Sequence, residues 1–207
     1  MNHLFIDTST KNCSLYLSLE SKLIFSKSWI SDNNQSEELN KYFAEIKNSL
    51  AEINYLGILT GPGGFNSLRI GISFALALSL SKNINLISLP THLVQAIDSV
   101  KAKKNTISIV QCGKNMTSWA EFKNGQHIPI NSGITKDKIF EGEKYCGESN
   151  DQAGLNPRPY EKILEASKYM IEKVGYTEPE NILPIYAKEP SISTPKEPYK
   201  KFENQGE

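Results

Sequence analysis

The stretch TGPGGFNSLRIG, residues 60–71, joins a glycine-rich turn to a long segment of apolar and small residues running to position 82. Gly61-Pro62-Gly63-Gly64 predicts a type II turn, with Pro62 presetting φ and Gly63 taking a positive φ. The turn then feeds a helix that Asn66 or Ser67 can cap. Free backbone N–H groups at such a start attract anions. Arg69 adds to this, because a cation in a first helical turn opposes the dipole and needs an anionic partner. One reading is therefore a phosphate loop of Gly61, Gly63, Gly64 and Arg69; Asp7, Thr8, Ser9 and Thr10 at the end of the first strand could accept a phosphate as well, or their hydroxyls simply close a turn. The other is that the glycines only turn the chain and Arg69 pairs with a protein carboxylate. The stretch contains no G-x-x-x-x-G-K-[ST], so no P-loop lysine serves either reading.

The helix after the turn is apolar all round: Leu68, Ile70, Ile72, Phe74, Leu76, Leu78 and Leu80 fall on every side. A helix on the outer face of a sheet keeps a polar side, so this one must be covered twice. Small residues form two ladders with a spacing of four, Gly71-Ala75-Ser79 and Ser73-Ala77-Ser81, and such ladders admit a second backbone. A helix buried within this chain alone explains the pattern, and so does a partner helix. The partner contact is expected on Leu68, Gly71, Ile72, Ala75, Leu76 and Ser79, with Leu39 and Phe43 of the preceding helix beside them.

Outward from this centre the order reads βββαβαβα. Residues 3–30 form short strands, with Cys13, Leu15, Leu17 and Leu19 on one face of the second and Glu20-Ser21 as its tight connection. From Ser36 the period changes, and Leu39, Phe43, Ile46 and Leu50 mark an amphipathic helix led by Glu37 and Glu38. YLGILT and INLISL are strands on either side of the apolar helix, and Thr91 is placed to cap a helix carrying Leu93, Val94, Ile97 and Val100. After a polar KAKKN connector, TISIVQC and TSWAEFK read as strands, with Lys123-Asn124-Gly125 after the second as a hairpin turn. Weaker strands lead to EKYCG, and a helix covers about residues 159–174 with Gly175 as its C′ residue. This gives a first lobe over 1–102, a second over 103–190, and a tail over 191–207 that has too few apolar residues to offset its ordering entropy.

A chain of 207 residues buries roughly 70% of its unfolded surface and needs neither disulfide nor metal to fold. Lysine plus arginine balance aspartate plus glutamate at 23 each, so nothing global recruits nucleic acid or an anionic membrane. Cys13, Cys112 and Cys146 are widely spaced, which fits inert thiols in a reducing cytoplasm. His3, His92 and His127 lack metal-ligand spacing. Lys101, Lys103 and Lys104 read as a solvated connector rather than a nucleic-acid contact.

IDTSTKNCSLYL, QSEELNKYFAEI, GPGGFNSLRIGISFALAL, LPTHLVQAI and PIYAK, in that order, resemble the TsaB (YeaZ) family of tRNA threonylcarbamoyladenosine biosynthesis. The likeness covers residues 3–102 well and 159–190 loosely. It implies an α/β, actin-like (Hsp70-like) fold of two RNase-H-like lobes, the second reduced. It also implies a non-catalytic subunit that binds its paralogue TsaD through a bundle of first-lobe helices, with the ATPase TsaE joining them. tRNA is then met through the complex, and the free chain has homodimerisation open to it through the same helices. No cofactor or metal is expected on the chain alone, and any weak nucleotide binding belongs to the complex. Three departures stand out. Gly64, Asn66 and Ser67 replace the family's Ser, Thr and Gly. Gln35 replaces a histidine, and Gln111-Cys112-Gly113 replaces Asp-Ala-Arg, leaving no carboxylate to hold a nucleotide's metal. An independent actin-like ATPase or kinase, or a glycoprotease-like peptidase, is the alternative class.

Overall fold

The computed structural model describes residues 1–31, 34–113, 116–135, 145–147 and 158–188. The first sheet contains β1 (His3–Asp7), β2 (Asn12–Leu19), β3 (Lys22–Ile30), β4 (Tyr55–Gly61) and β5 (Asn85–Pro90), in the order β3-β2-β1-β4-β5. The first three strands pair antiparallel, and β4 and β5 join in parallel beyond β1. This is the strand order of an RNase-H-like lobe, and it needs a sharp hairpin between β2 and β3. Glu20 and Ser21 supply it with φ of 51° and 63°.

The second sheet contains β6 (Thr106–Gly113), β7 (Met116–Phe122), β8 (Asn131–Thr135) and β9 (Tyr145–Gly147), ordered β8-β7-β6-β9. Its pairing repeats the first four positions of the first sheet: β6 is antiparallel to β7, β7 antiparallel to β8, and β9 parallel to β6. Among the described residues this sheet has four strands and no counterpart of β5.

Four helices complete four layers. α1 (Gln35–Ile46) and α2 (Phe65–Lys82) cover one face of the first sheet, where Leu4, Ile6, Leu15 and Leu17 meet Leu39, Leu68 and Ile72. α3 (Thr91–Lys101) and α4 (Tyr160–Lys173) cover the other. There Phe5, Tyr16, Tyr55, Ile87 and Leu89 pack on Leu93, Val94, Ile97 and Ile163, and Ala120 and Phe122 of β7 close the layer from the far side. Both faces of β1 and β2 are therefore buried.

The helix ends depart from expectation in two places. Gly64, not Asn66 or Ser67, is the N-cap of α2, because the Gly64 N–H is already held by the Ser9 carbonyl at 2.8 Å and the chain enters the helix from there. Pro90, not Thr91, precedes α3 as its cap. The end of α4 follows the sequence, with Gly175 at φ 88° donating to the Met170 and Ile171 carbonyls. Lys101 is the last residue of α3 and pairs with Glu165 of α4 rather than lying in a free connector. The expectation for the tail at 191–207, and most of the strands expected between 113 and 158, lie outside the described residues.

Candidate functional site

β1 ends in Asp7, whose side chain is sealed in the protein. Its Oδ1 accepts hydrogen bonds from the Ser9 backbone N–H at 2.8 Å and the Ser9 hydroxyl at 2.6 Å, a short turn that short polar side chains favour. Its Oδ2 accepts from Arg158 Nε at 2.6 Å. Arg158, also 0% exposed, donates through Nη2 to Thr10 Oγ1 at 2.7 Å and to the Asn12 carbonyl at 3.3 Å. With the Gln95 amide oriented to satisfy its neighbours, Nη1 donates to Gln95 at 2.9 Å, and the Gln95 amide nitrogen donates to Ser108 Oγ and the Ile109 carbonyl.

The glycines of the loop serve close approach. A Cβ on Gly63 would stand 2.0 Å from the Ser9 carbonyl oxygen, one on Gly61 2.4 Å from the Ile185 carbonyl oxygen, and one on Gly71 2.3 Å from Thr8 Oγ1. The expected type II turn is not formed. The Gly61–Pro62 peptide is cis, and the positive φ, 110°, falls on Gly61 rather than Gly63, which is pressed onto Ser9. Thr8 Oγ1 donates to the Ser67 carbonyl at 2.8 Å, tying the first loop to the first turn of α2. Asp7, Thr8, Ser9, Gly61, Gly63 and Gly64 are thus brought together. Arg69 is not among them: its guanidinium is exposed and lies over the Phe65 ring, 5.3 Å from the centroid.

A metal-bound nucleotide does not fit these residues. Asp7 already holds an internal guanidinium and the Ser9 donors, and the loop at Gly63 is packed onto the Ser9 backbone, which leaves no gap between the two loops there. Gln111, exposed on β6, supplies no opposing carboxylate. No group of three metal-ligating side chains occurs among the described residues. A cavity of ≈ 450 Å³ between the lobes is bounded by Pro62, Pro90, His92, Phe122, Ile134 and Tyr186 among others, with no lysine, arginine or carboxylate among the described residues of its wall. His92 there bonds Ser108 and Ser118, each at 3.0 Å, and burial pushes its pKa down to about 3, so it is neutral. The cysteines are free thiols, and burial raises the pKa of Cys13 and of Cys146.

The helix layer is open on its other side. α2 turns Leu68, Gly71, Ile72, Ala75, Leu78 and Ser79 into the chain's own core, and Leu39 of α1 is buried with them. This corrects the expected contact set: Gly71 is taken up by Thr8, and Ser79 Oγ donates to the Ile84 carbonyl at 2.7 Å. Of the expected residues only Leu76 and Phe43 stay partly open. The ladder that faces outward is Ser73-Ala77-Ser81, beside Ile70, Phe74 and Leu80, the last 72% exposed. Phe43 of α1 meets Phe74 edge-on, with centroids 4.7 Å apart. A shallow groove runs between the helices along Ser36, Asn40, Arg69, Ile70 and Ser73. Gln35 closes its end by donating to Ser67 Oγ at 3.0 Å.

Sequence reasoning missed Arg158. The only local signal is its place between Pro157 and Pro159 before a helix, and nothing there says that its side chain is buried.

The family model described as "TsaD: tRNA N6-adenosine threonylcarbamoyltransferase" matches residues 33–150. Two curated relatives, both "tRNA threonylcarbamoyladenosine biosynthesis protein TsaB", come from Buchnera aphidicola. That of subspecies Schizaphis graminum is 30% identical over 128 residues, 58% of this chain and 59% of the relative. That of subspecies Acyrthosiphon pisum is 29% identical over 91 residues, 43% and 41% respectively. The chain thus spans about 41% to 59% of the length of these relatives. Among solved structures, "YeaZ from Pseudomonas aeruginosa" superposes with a TM-score of 0.66 at 16% identity, covering 89% of this chain and 99% of that one. A second structure, an uncharacterized protein with similarity to peptidase YEAZ from Pseudomonas aeruginosa, gives 0.69 at 16% identity, with 90% and 99% covered. At that identity the likeness is one of fold. With the family model spanning more than half of its residues, the chain belongs to the TsaD family of tRNA N6-adenosine threonylcarbamoyltransferase proteins, and the curated relatives it matches are TsaB proteins.

Proposed function

We propose that the chain is a non-catalytic subunit in the formation of N6-threonylcarbamoyladenosine on tRNA, binding and activating a TsaD-type transferase through the open face of α1 and α2. The observation that carries this reading is the outward ladder Ser73-Ala77-Ser81 flanked by Ile70, Phe74 and Leu80. Small residues at a spacing of four let a second helix approach closely, and the flanking apolar side chains supply the area that association buries. Phe43 and Phe74 form the wall against which such a helix would lie.

The non-catalytic part rests on Asp7 being engaged by Arg158 and on the uncharged residue at 111. Nucleotide chemistry then belongs to the complex, with a TsaE-type ATPase, and tRNA is met there rather than by this chain alone. Such a reaction is cytoplasmic, and no described helix is long and apolar enough to cross a membrane.

Reconstitution tests this reading. tRNA, the threonylcarbamoyl donor and the host's TsaD and TsaE are incubated with and without the chain, and the modified nucleoside is quantified by mass spectrometry. Product is expected only when TsaD and the chain are both present. Product from the chain without TsaD, or full yield from TsaD without the chain, overturns it.

A further inference from the structure

Of the 23 lysines and arginines in this chain only two are arginines, Arg69 and Arg158, and the second is completely buried. Its position uses what a lysine lacks, a planar fork that meets several acceptors at fixed angles. Nε takes the Asp7 carboxylate, Nη2 takes Thr10 Oγ1 and the Asn12 carbonyl, and Nη1 takes Gln95. The first three partners belong to the β1–β2 turn of the first sheet. Gln95 leads to the second, where its amide reaches Ser108 and Ile109 of β6 and where Gly147 of β9 has no Cβ because one would stand 2.5 Å from the Gln95 amide. Ser108 continues to His92 and His92 to Ser118 of β7. Arg158 itself directly precedes α4, the helix packed between the sheets.

We infer that Arg158, carried by the second lobe, is an internal latch between the lobes, its guanidinium being the resident cation of a first-lobe site built from Asp7, Thr10 and Asn12 at the β1–β2 turn and from Gln95 of α3, which in turn touches β6. The lobes are thereby held together by the chain's own side chains. The site behind the latch is a preformed guanidinium pocket, and it accepts a free guanidinium ion once the side chain is removed. The inference is independent of the docking face on α1 and α2.

Arg158→Ala tests it with methylguanidinium chloride as the probe. The melting temperature of the variant falls by about 10 °C, and ~10 mM methylguanidinium restores at least half of the loss while leaving the wild type unchanged. A merely structural arginine gives the fall without that selective rescue. Spin labels at Ser26→Cys on β3 and Asn131→Cys on β8, in a Cys146→Ser background, read the spacing of the sheets. The distance distribution broadens in Arg158→Ala and narrows again with methylguanidinium. If Arg158→Ala yields no soluble protein, Arg158→Lys, which keeps the charge and loses the fork, carries the same label measurement and is expected to broaden it. Absence of rescue, an unchanged label distribution in either variant, or a wild type whose melting temperature rises with MgATP overturns the latch.

Discussion

Arg158 Nε and Asp7 Oδ2 lie 2.6 Å apart although 151 positions separate them in sequence, and neither side chain is exposed. The pair joins the end of the first strand to the start of the last helix. It also fixes the Ser9 turn, whose carbonyl holds Gly64 at the head of α2. A buried pair adds little over a well-packed apolar one, but removing one partner strands the other charge. Asp7→Ala should therefore cost about 3–5 kcal/mol in urea unfolding. Asp7→Leu combined with Arg158→Met should recover part of that loss. A cost under about 1 kcal/mol for Asp7→Ala would place the arginine in contact with solvent.

The loop glycines separate by what a Cβ would meet. Gly63→Ala drives a methyl against the Ser9 carbonyl at 2.0 Å, where only backbone can yield. Gly175→Ala meets nothing within 4 Å and carries only the strain of φ 88°. We expect Gly175→Ala to cost about 1 kcal/mol and Gly63→Ala several times that, read as the shift in urea midpoint at constant m-value. Equal costs would contradict the close contact between the loops.

Acid sensitivity follows from the buried imidazoles. Desolvation, with Arg158 adding to it, lowers the His92 pKa from 6.5 to about 3, and desolvation lowers that of His3 to about 4. The unfolded chain takes these protons near pH 6.5, the folded one does not, so their contribution is complete above pH 6.5 and is lost as pH falls toward the folded values. Between pH 6.5 and 5, before most carboxylates titrate, His92→Gln should reduce the slope of unfolding free energy against pH by up to about 1.4 kcal/mol per unit. An unchanged slope would mean that His92 is protonated in the folded protein.

The purified chain should release no phosphate from ATP above background. The Asp7 carboxylate is occupied by Arg158, and the described residues of the cavity wall between the lobes include no lysine, arginine or carboxylate. A steady-state turnover near 1 per second, ordinary for an enzyme, would contradict a non-catalytic subunit.

Much of the fold was legible because it is local. Period-two strands, the apolar segment after the glycine turn and Gly175 behind α4 are carried by neighbours in sequence. The orientation of α2 was not legible, because its two small-residue ladders are equivalent in sequence and the choice is made by Thr8 resting on Gly71. The partner residues expected on the Gly71-Ala75-Ser79 side were placed half a helix turn from the open face. Arg158 was invisible for a related reason: its burial depends on an acid from the other end of the chain. The position of the positive φ was misread because contact of Gly63 with Ser9, not turn propensity, shapes the loop.

Partner docking rests on the open face of α2. Ala77 is exposed on α2 and Ala75, two residues away, is fully buried. Ala75→Glu should therefore lower the melting temperature of the free chain by ~10 °C or more, whereas Ala77→Glu should leave it within about 2 °C of the wild type. The deciding measurement is the affinity of purified TsaD-type paralogue from the same host for wild-type and Ala77→Glu chain, with Ser26→Glu on β3 as control. An unpaired carboxylate in a helix–helix contact costs several kcal/mol, and each 1.4 kcal/mol is tenfold. The account predicts at least about a hundredfold loss for Ala77→Glu with the control unchanged. Binding by Ala77→Glu within about threefold of the wild type, a difference under 1 kcal/mol, would contradict it.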